Sequence, residues 1–154
     1  MLYTSWKGEQ VAKEKFFQVG VKGLIENKSG QILLFKADIS NHRAQTVAYW
    51  DIPGGRIQEG HNALTTLKRE ISEEAGITKI SNINFFSAVI SKHEIPIGNG
   101  KKTGLLLMIY RVSVPEKTKI TLSEEHTGVE WVDKKEAAKR LANKYPLEFT
   151  KLLL

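Results

Sequence analysis

The 154-residue chain has no cysteine. Disulfides, thiolate nucleophiles and cysteine-ligated zinc are therefore excluded, and a reducing, cytoplasmic setting fits. It also lacks a long apolar run. The longest, Leu105 to Tyr110 (LLLMIY), has the length of a buried strand and falls far below the roughly 20 residues that cross a bilayer. No membrane association is expected. The opening MLYTSWKGEQ has neither the charged start nor the apolar stretch of a secretory signal. No repeat, low-complexity tract or linker divides the chain, so one domain over residues 1–154 is expected.

The composition is that of a globular protein, 41% hydrophobic and 26% charged. A net charge of +6 suits an anionic partner. The lysines at 13–15, 101–102, 117–119 and 134–135 carry no interleaved aromatics, so these clusters read as solvated faces rather than a nucleic-acid surface. A small nucleotide is the better-matched anion. Monomer and homodimer both remain open.

Turn signals and periodicity give the order of elements. Phe16 to Ile25 reads as a buried strand and Gln31 to Phe35 as its return, joined by the turn Glu26–Gly30 in a hairpin. A polar segment, 38–45, precedes a short strand over Thr46–Trp50. Asp51-Ile-Pro53-Gly54-Gly55 is turn chemistry. A helix follows, with Asn62 as its N-cap, Leu64, Leu67, Ile71 and Ala75 on one stripe, and Gly76 as a left-handed stop. Further strands are expected around Ile83–Ser91, Gly104–Val114 and Val129–Val132, with a Gly/Pro-rich loop from His93 to Lys102. Asp133 caps a helix through Asn143, and Phe149–Leu154 extends a second. This order implies an α/β fold with a mixed sheet between helices.

The expected helix after Asn62 carries Glu70, Glu73 and Glu74 within five positions. Helix neighbours three and four apart lie about 5–6 Å from each other at Cβ, so three like charges crowd one face. The arc they occupy, roughly 100° wide, adjoins the apolar stripe. One face can enter the core while its neighbour looks into a cleft. Standing alone, Glu-x-x-Glu-Glu is better explained by a solvated helix face than by a cation. If a cation is held there, oxygen-only ligands favour Mg²⁺ or Mn²⁺ over zinc.

Residues 55–77 resemble the Nudix box of the Nudix hydrolases. Gly55 opens the pattern, and Arg69-Glu-Ile-Ser-Glu-Glu-Ala-Gly-Ile77 matches its closing nine positions; Trp50-Asp-Ile-Pro-Gly-Gly55 is similar to the usual lead-in. One position departs, with His61 standing where the box has an isolated glutamate; Glu59 lies two residues earlier. The resemblance implies a Nudix-type α/β/α sandwich. It also implies Mg²⁺- or Mn²⁺-dependent hydrolysis of the pyrophosphate link in a nucleoside diphosphate joined to a group X. Nucleoside triphosphates are favoured, and sugar nucleotides such as ADP-ribose come next. The alternative is a Nudix-fold nucleotide-binding or regulatory module without turnover, for which the loss of the glutamate at His61 speaks.

By resemblance Glu70, Glu73 and Glu74 are both the catalytic carboxylates and cation ligands, with the Gly55 carbonyl as a further ligand. Glu70 is the candidate base in some relatives, whereas others take the base from a loop. A last acidic ligand is expected before Trp131, with Glu125 chosen over Glu124. Arg69 is expected to pair with a neighbouring glutamate, and Gly54 and Gly76 to serve the backbone. Arg43, His61 and His93 are the candidate substrate contacts, with Lys101 and Lys102 as further loop cations. The aromatics Tyr49, Trp50, Phe35 and Phe86 fit the core better than a base-stacking role. No substrate-class marker of the family is clear downstream of the box.

Overall fold

Two strands that are apolar on both faces set the centre of the molecule. Strand β1 (Phe17–Glu26) sends Val21 and Ile25 into one core and Leu24 into another; β2 (Ile32–Ala37) sends Leu33 and Phe35 to the first and Ile32 and Leu34 to the second. Burial on alternate sides is the mark of a sheet covered on both faces. The computed structural model describes residues 15–40 and 47–154. Along them follow β3 (Trp50–Asp51), β4 (Gly54–Arg56), α1 (Ala63–Ala75), β5 (Ser81–Ile90), β6 (Ile95–Gly98), β7 (Lys101–Ser113), β8 (His126–Val132), α2 (Lys134–Leu141) and α3 (Leu147–Thr150), the last running into a 3₁₀ turn at Lys151–Leu153.

The sheet order is β3-β2-β1-β7-β5, with β4 against β1, β6 against β7 and β8 against β2. β1 and β7 run parallel, from Phe17 opposite Gly104 to Glu26 opposite Ser113. The other pairings are antiparallel, so the sheet is mixed. α1 covers one face with Leu67, Ile71 and Ala75. Ala137 and Leu141 of α2, with Tyr145, Phe149 and Leu153, cover the other. This is the expected α/β/α sandwich. No helix among the described residues is long and apolar enough to cross a membrane.

Local signals place the helices. Asn62 accepts the Thr65 N–H at 2.9 Å, and Gly76 closes α1 at φ 67° with its N–H on the Ser72 carbonyl. Asp133 caps α2 by accepting the Glu136 N–H at 2.8 Å.

Five local expectations are corrected. The 26–30 turn forms, but Glu26–Ile32 is the one rung between β1 and β2, because β4 occupies that edge of β1 at Gly20–Lys22. The lead-in read as turn alone therefore contains a strand. Leu64 is 44% exposed, since burial along α1 begins only at Thr66. The segment 93–102 is a hairpin rather than a loop: β6 pairs only with β7, and such an edge strand tolerates Pro96. The short strand expected from Thr46 begins at Trp50, and Thr46 itself lies outside the described residues.

Candidate active site

Strand β4 and helix α1 meet at two glycines. Gly54 sits at φ 145°, and a Cβ there would lie 2.0 Å from the Val21 carbonyl oxygen, so no side chain fits. Its N–H donates to Glu74 Oε2 at 3.0 Å. At Gly55 a Cβ would lie 2.3 Å from Glu70 Oε1, so the carboxylate rests directly on the backbone. Two glutamates four apart on α1 thus reach two consecutive residues of β4. Arg69 bridges the remainder, donating from Nη2 to Glu70 at 2.6 Å and from Nη1 to Glu73 at 2.8 Å. Glu73 points outward and is 57% exposed at its side chain.

Glu74 is the buried member. Burial pushes its pKa up to about 7, against the Lys22 charge and the Gly54 N–H, which both favour the anion. Among the described residues no three acidic or imidazole groups converge in ligating geometry. In kind, however, the donors suit a hard divalent ion: three carboxylates within little more than a turn, with Gly55 packed against Glu70. Gathering them on one cation requires Glu70 and Glu73 to exchange Arg69 for it.

Beyond Glu74 lies a second charged group, unforeseen in the sequence reading. Asp51 Oδ2 accepts from Lys22 Nζ at 2.8 Å and from Lys144 Nζ at 2.5 Å. Asp51 Oδ1 accepts from Tyr145 O–H at 2.5 Å and from the Ile52 N–H at 2.8 Å. Burial alone would raise the Asp51 pKa, but the two ammonium groups outweigh it and hold the carboxyl well below its usual range. Burial lowers Lys144 to about 8 against the pull of Asp51. For Lys22 burial also acts downward, but Asp51 and Glu74 together raise it. Burial and the Asp51 charge raise Tyr145 well above the usual phenol value.

One cleft of about 350 Å³ joins these groups. Its lining includes Gly54, Gly55 and Glu74, the cluster of Asp51, Lys22 and Lys144, and Glu125 and His126; Lys22 links the two groups, its Nζ donating to both Asp51 and the Gly54 carbonyl. The expected residues Gly54, Gly55, Glu74 and Glu125 are brought together. Glu70 stands against Gly55, while Glu73 and Arg69 lie on the outer side of the helix. His61 is an exposed turn residue and does not line the cleft. His93 stands behind it, its ring edge-on to Tyr49 at 4.7 Å and its Nε2 2.8 Å from Asn143 Oδ1. Burial lowers the His93 pKa, against the Asn143 bond. Arg43 lies outside the described residues. Lys22 and Asp51 carried one usable signal: charges inside otherwise apolar strands. Lys144 carried none.

Residues 16–153 match the family model described as NUDIX domain. The chain belongs to the NUDIX family. It is 30% identical over 122 residues to nucleoside diphosphate-linked moiety X motif 6 of Xenopus laevis, covering 79% of this chain and 52% of the relative. It is 36% identical over 62 residues to the 8-oxo-dGTP diphosphatase of Buchnera aphidicola (subsp. Schizaphis graminum), covering 40% of this chain and 45% of the relative. The chain spans about half the length of these curated relatives. The MutT protein of Methanosarcina mazei Go1 is similar at TM-score 0.66 and 26% identity, over 92% of this chain and 94% of that one. The dihydroneopterin triphosphate pyrophosphohydrolase of E. coli shares the fold at TM-score 0.64 and 18% identity, over 90% and 97%. The family generally uses divalent cations.

Proposed function

We propose that the chain is a pyrophosphohydrolase acting, with Mg²⁺ or Mn²⁺, on a nucleoside diphosphate linked to X. Nucleoside triphosphates are the favoured substrates, ahead of sugar nucleotides such as ADP-ribose. The observation that carries this reading is Glu74: a buried acid of raised pKa, anchored on Gly54, in a cleft that also holds two buried ammonium groups. Glu70, Glu73, Glu74 and the Gly55 carbonyl, with Glu125 of the cleft lining, would hold the cation. When bound, the ion neutralises phosphate charge and acidifies water.

The chain's own residues supply the rest. The Gly54–Gly55 backbone and the glutamates position the phosphate chain. Glu70, once it has exchanged Arg69 for the cation, is the candidate to take the proton of the attacking water. Lys22 fixes the lead-in by donating to Asp51, the Ile52 carbonyl at 3.0 Å and the Gly54 carbonyl at 3.3 Å. Attack at phosphorus breaks the anhydride and releases a nucleoside monophosphate with phosphorylated X, or with pyrophosphate when the substrate is a triphosphate. The names of the relatives, a nucleoside diphosphate-linked moiety protein and an 8-oxo-dGTP diphosphatase, support this class.

The test is a panel of triphosphates, oxidised triphosphates and sugar nucleotides incubated with Mg²⁺ or Mn²⁺ and followed by ³¹P NMR. Monophosphate and pyrophosphate or phosphorylated X should appear, and E74Q should form neither at a comparable rate. No turnover across the panel overturns the reading. A second reading, a nucleotide-binding or regulatory module, draws on His61, which lies exposed and outside the cleft where the box has an acid. Tight nucleotide binding without product would favour it.

A further inference from the structure

The two buried lysines are not equivalent. Each ammonium has three donors. Lys22 places all three, on Asp51, the Ile52 carbonyl and the Gly54 carbonyl. Lys144 has one acceptor among the described residues, Asp51 Oδ2, although both side chains belong to residues only 7% exposed. Asp51 offers nothing further, since four donors already use its two oxygens. Two N–H groups of a buried cation are therefore left for whatever enters the cleft. An unmet buried donor is costly, and more so when charged.

Lys144 is also held in place. Its carbonyl accepts the Lys92 N–H at 2.8 Å and the Ser91 hydroxyl at 3.4 Å. Its Nζ lies 5.5 Å from the centre of the Tyr49 ring, which His93 braces from the side. The same cleft is walled by Tyr49, Ile95, Pro96, Leu105 and Leu107. Apolar walls desolvate a phosphate without replacing its water, but they suit a flat neutral ring bearing a few acceptors. The phosphates belong with the glutamates and the cation they would hold.

Building on the pyrophosphohydrolase reading, we propose that Lys144 determines base specificity, selecting nucleotides whose base presents a carbonyl oxygen over those presenting an amino group. Hypoxanthine and guanine offer O6 and N7 together to an ammonium; adenine puts a donor in place of O6. The pair inosine and adenosine isolates this one exchange.

The experiment titrates the full chain, with Mg²⁺, with inosine 5′-monophosphate and adenosine 5′-monophosphate by calorimetry. Wild type should bind the inosine nucleotide about tenfold more tightly. K144M should bring the two affinities together, and K144R should keep the preference. Equal affinities in wild type, no binding of either at millimolar concentration, or an unchanged preference in K144M overturns the proposal. The wild-type comparison decides even if K144M does not fold. Failure of the two readings is separable. An inosine preference without turnover of any triphosphate refutes hydrolysis and leaves base selection standing. Turnover of ITP and ATP at equal kcat/KM does the reverse.

Discussion

The glutamate group and the lysine group hold charge in opposite ways. Among the glutamates the outer pair is partly solvated: Arg69 and Glu73 are 30% and 57% exposed at their side chains. Exposed ion pairs of that kind are worth about 0–1 kcal/mol. In the lysine group Asp51 is buried under four donors. Breaking such a buried group leaves uncompensated charge. The outer glutamate pair can exchange partners at little cost, as a cation-binding site must. The lysine group resists exchange, and so keeps the lead-in strands and the segment carrying Lys144 in register.

Substitutions in the two groups should therefore differ in kind. D51N removes the charge that both ammonium groups face and should cost about 3–5 kcal/mol in urea unfolding. A cost below about 1 kcal/mol would erase the contrast. E74Q should lower turnover by about 10²–10³-fold, the scale of losing one preorganised electrostatic group, while the fold survives. E73Q should lower it in the same direction, with stability changed by no more than about 0.5 kcal/mol.

Glu74 sharpens the contrast through pH. In the fold it keeps its proton up to about pH 7, whereas an unfolded glutamate releases it near 4.5. Between those values the folded state binds more protons, so stability falls as pH rises from about 4.5 through 7. The full effect is about 3 kcal/mol at 1.36 kcal/mol per unit. Thermal unfolding across pH 5–7.5 should show the decline, and E74Q should flatten it. Mn²⁺ affinity should move the other way, tightening as pH rises to 7, because the cation competes with that proton. The smallest effect is expected at H61E. An exposed turn residue should change stability by less than about 0.5 kcal/mol and leave activity similar or raised; a large loss would give the imidazole a specific task.

How much was legible in the sequence follows from the same contrast. The glutamate group is written within 24 residues, Gly54 to Ile77, because a strand, a turn and a helix that touch are consecutive there. Asn62 and Gly76 marked the helix ends by chemistry that acts within four residues. The lysine group joins Lys22, Asp51 and Lys144, positions that only the β1–β4 and β2–β3 pairings and the packing of α2 and α3 bring together. No local period encodes that. Leu64 was misplaced because a stripe gives direction without saying where packing begins. The 93–102 hairpin was read as loop because its Pro96 and glycines report turn and edge character without pairing. His61 and His93 were chosen for their chemistry, and topology set both apart from the cleft lining.

The central claim is that Glu70 and Glu73 leave Arg69 to share a divalent cation with Glu74 against a phosphate chain. Anomalous scattering from crystals soaked with Mn²⁺ and a non-hydrolysable triphosphate tests it directly. Manganese density among these three carboxylates, bridged to phosphate oxygen, is the result predicted. Saturated crystals with nucleotide in the cleft and no manganese beside the glutamates would contradict it.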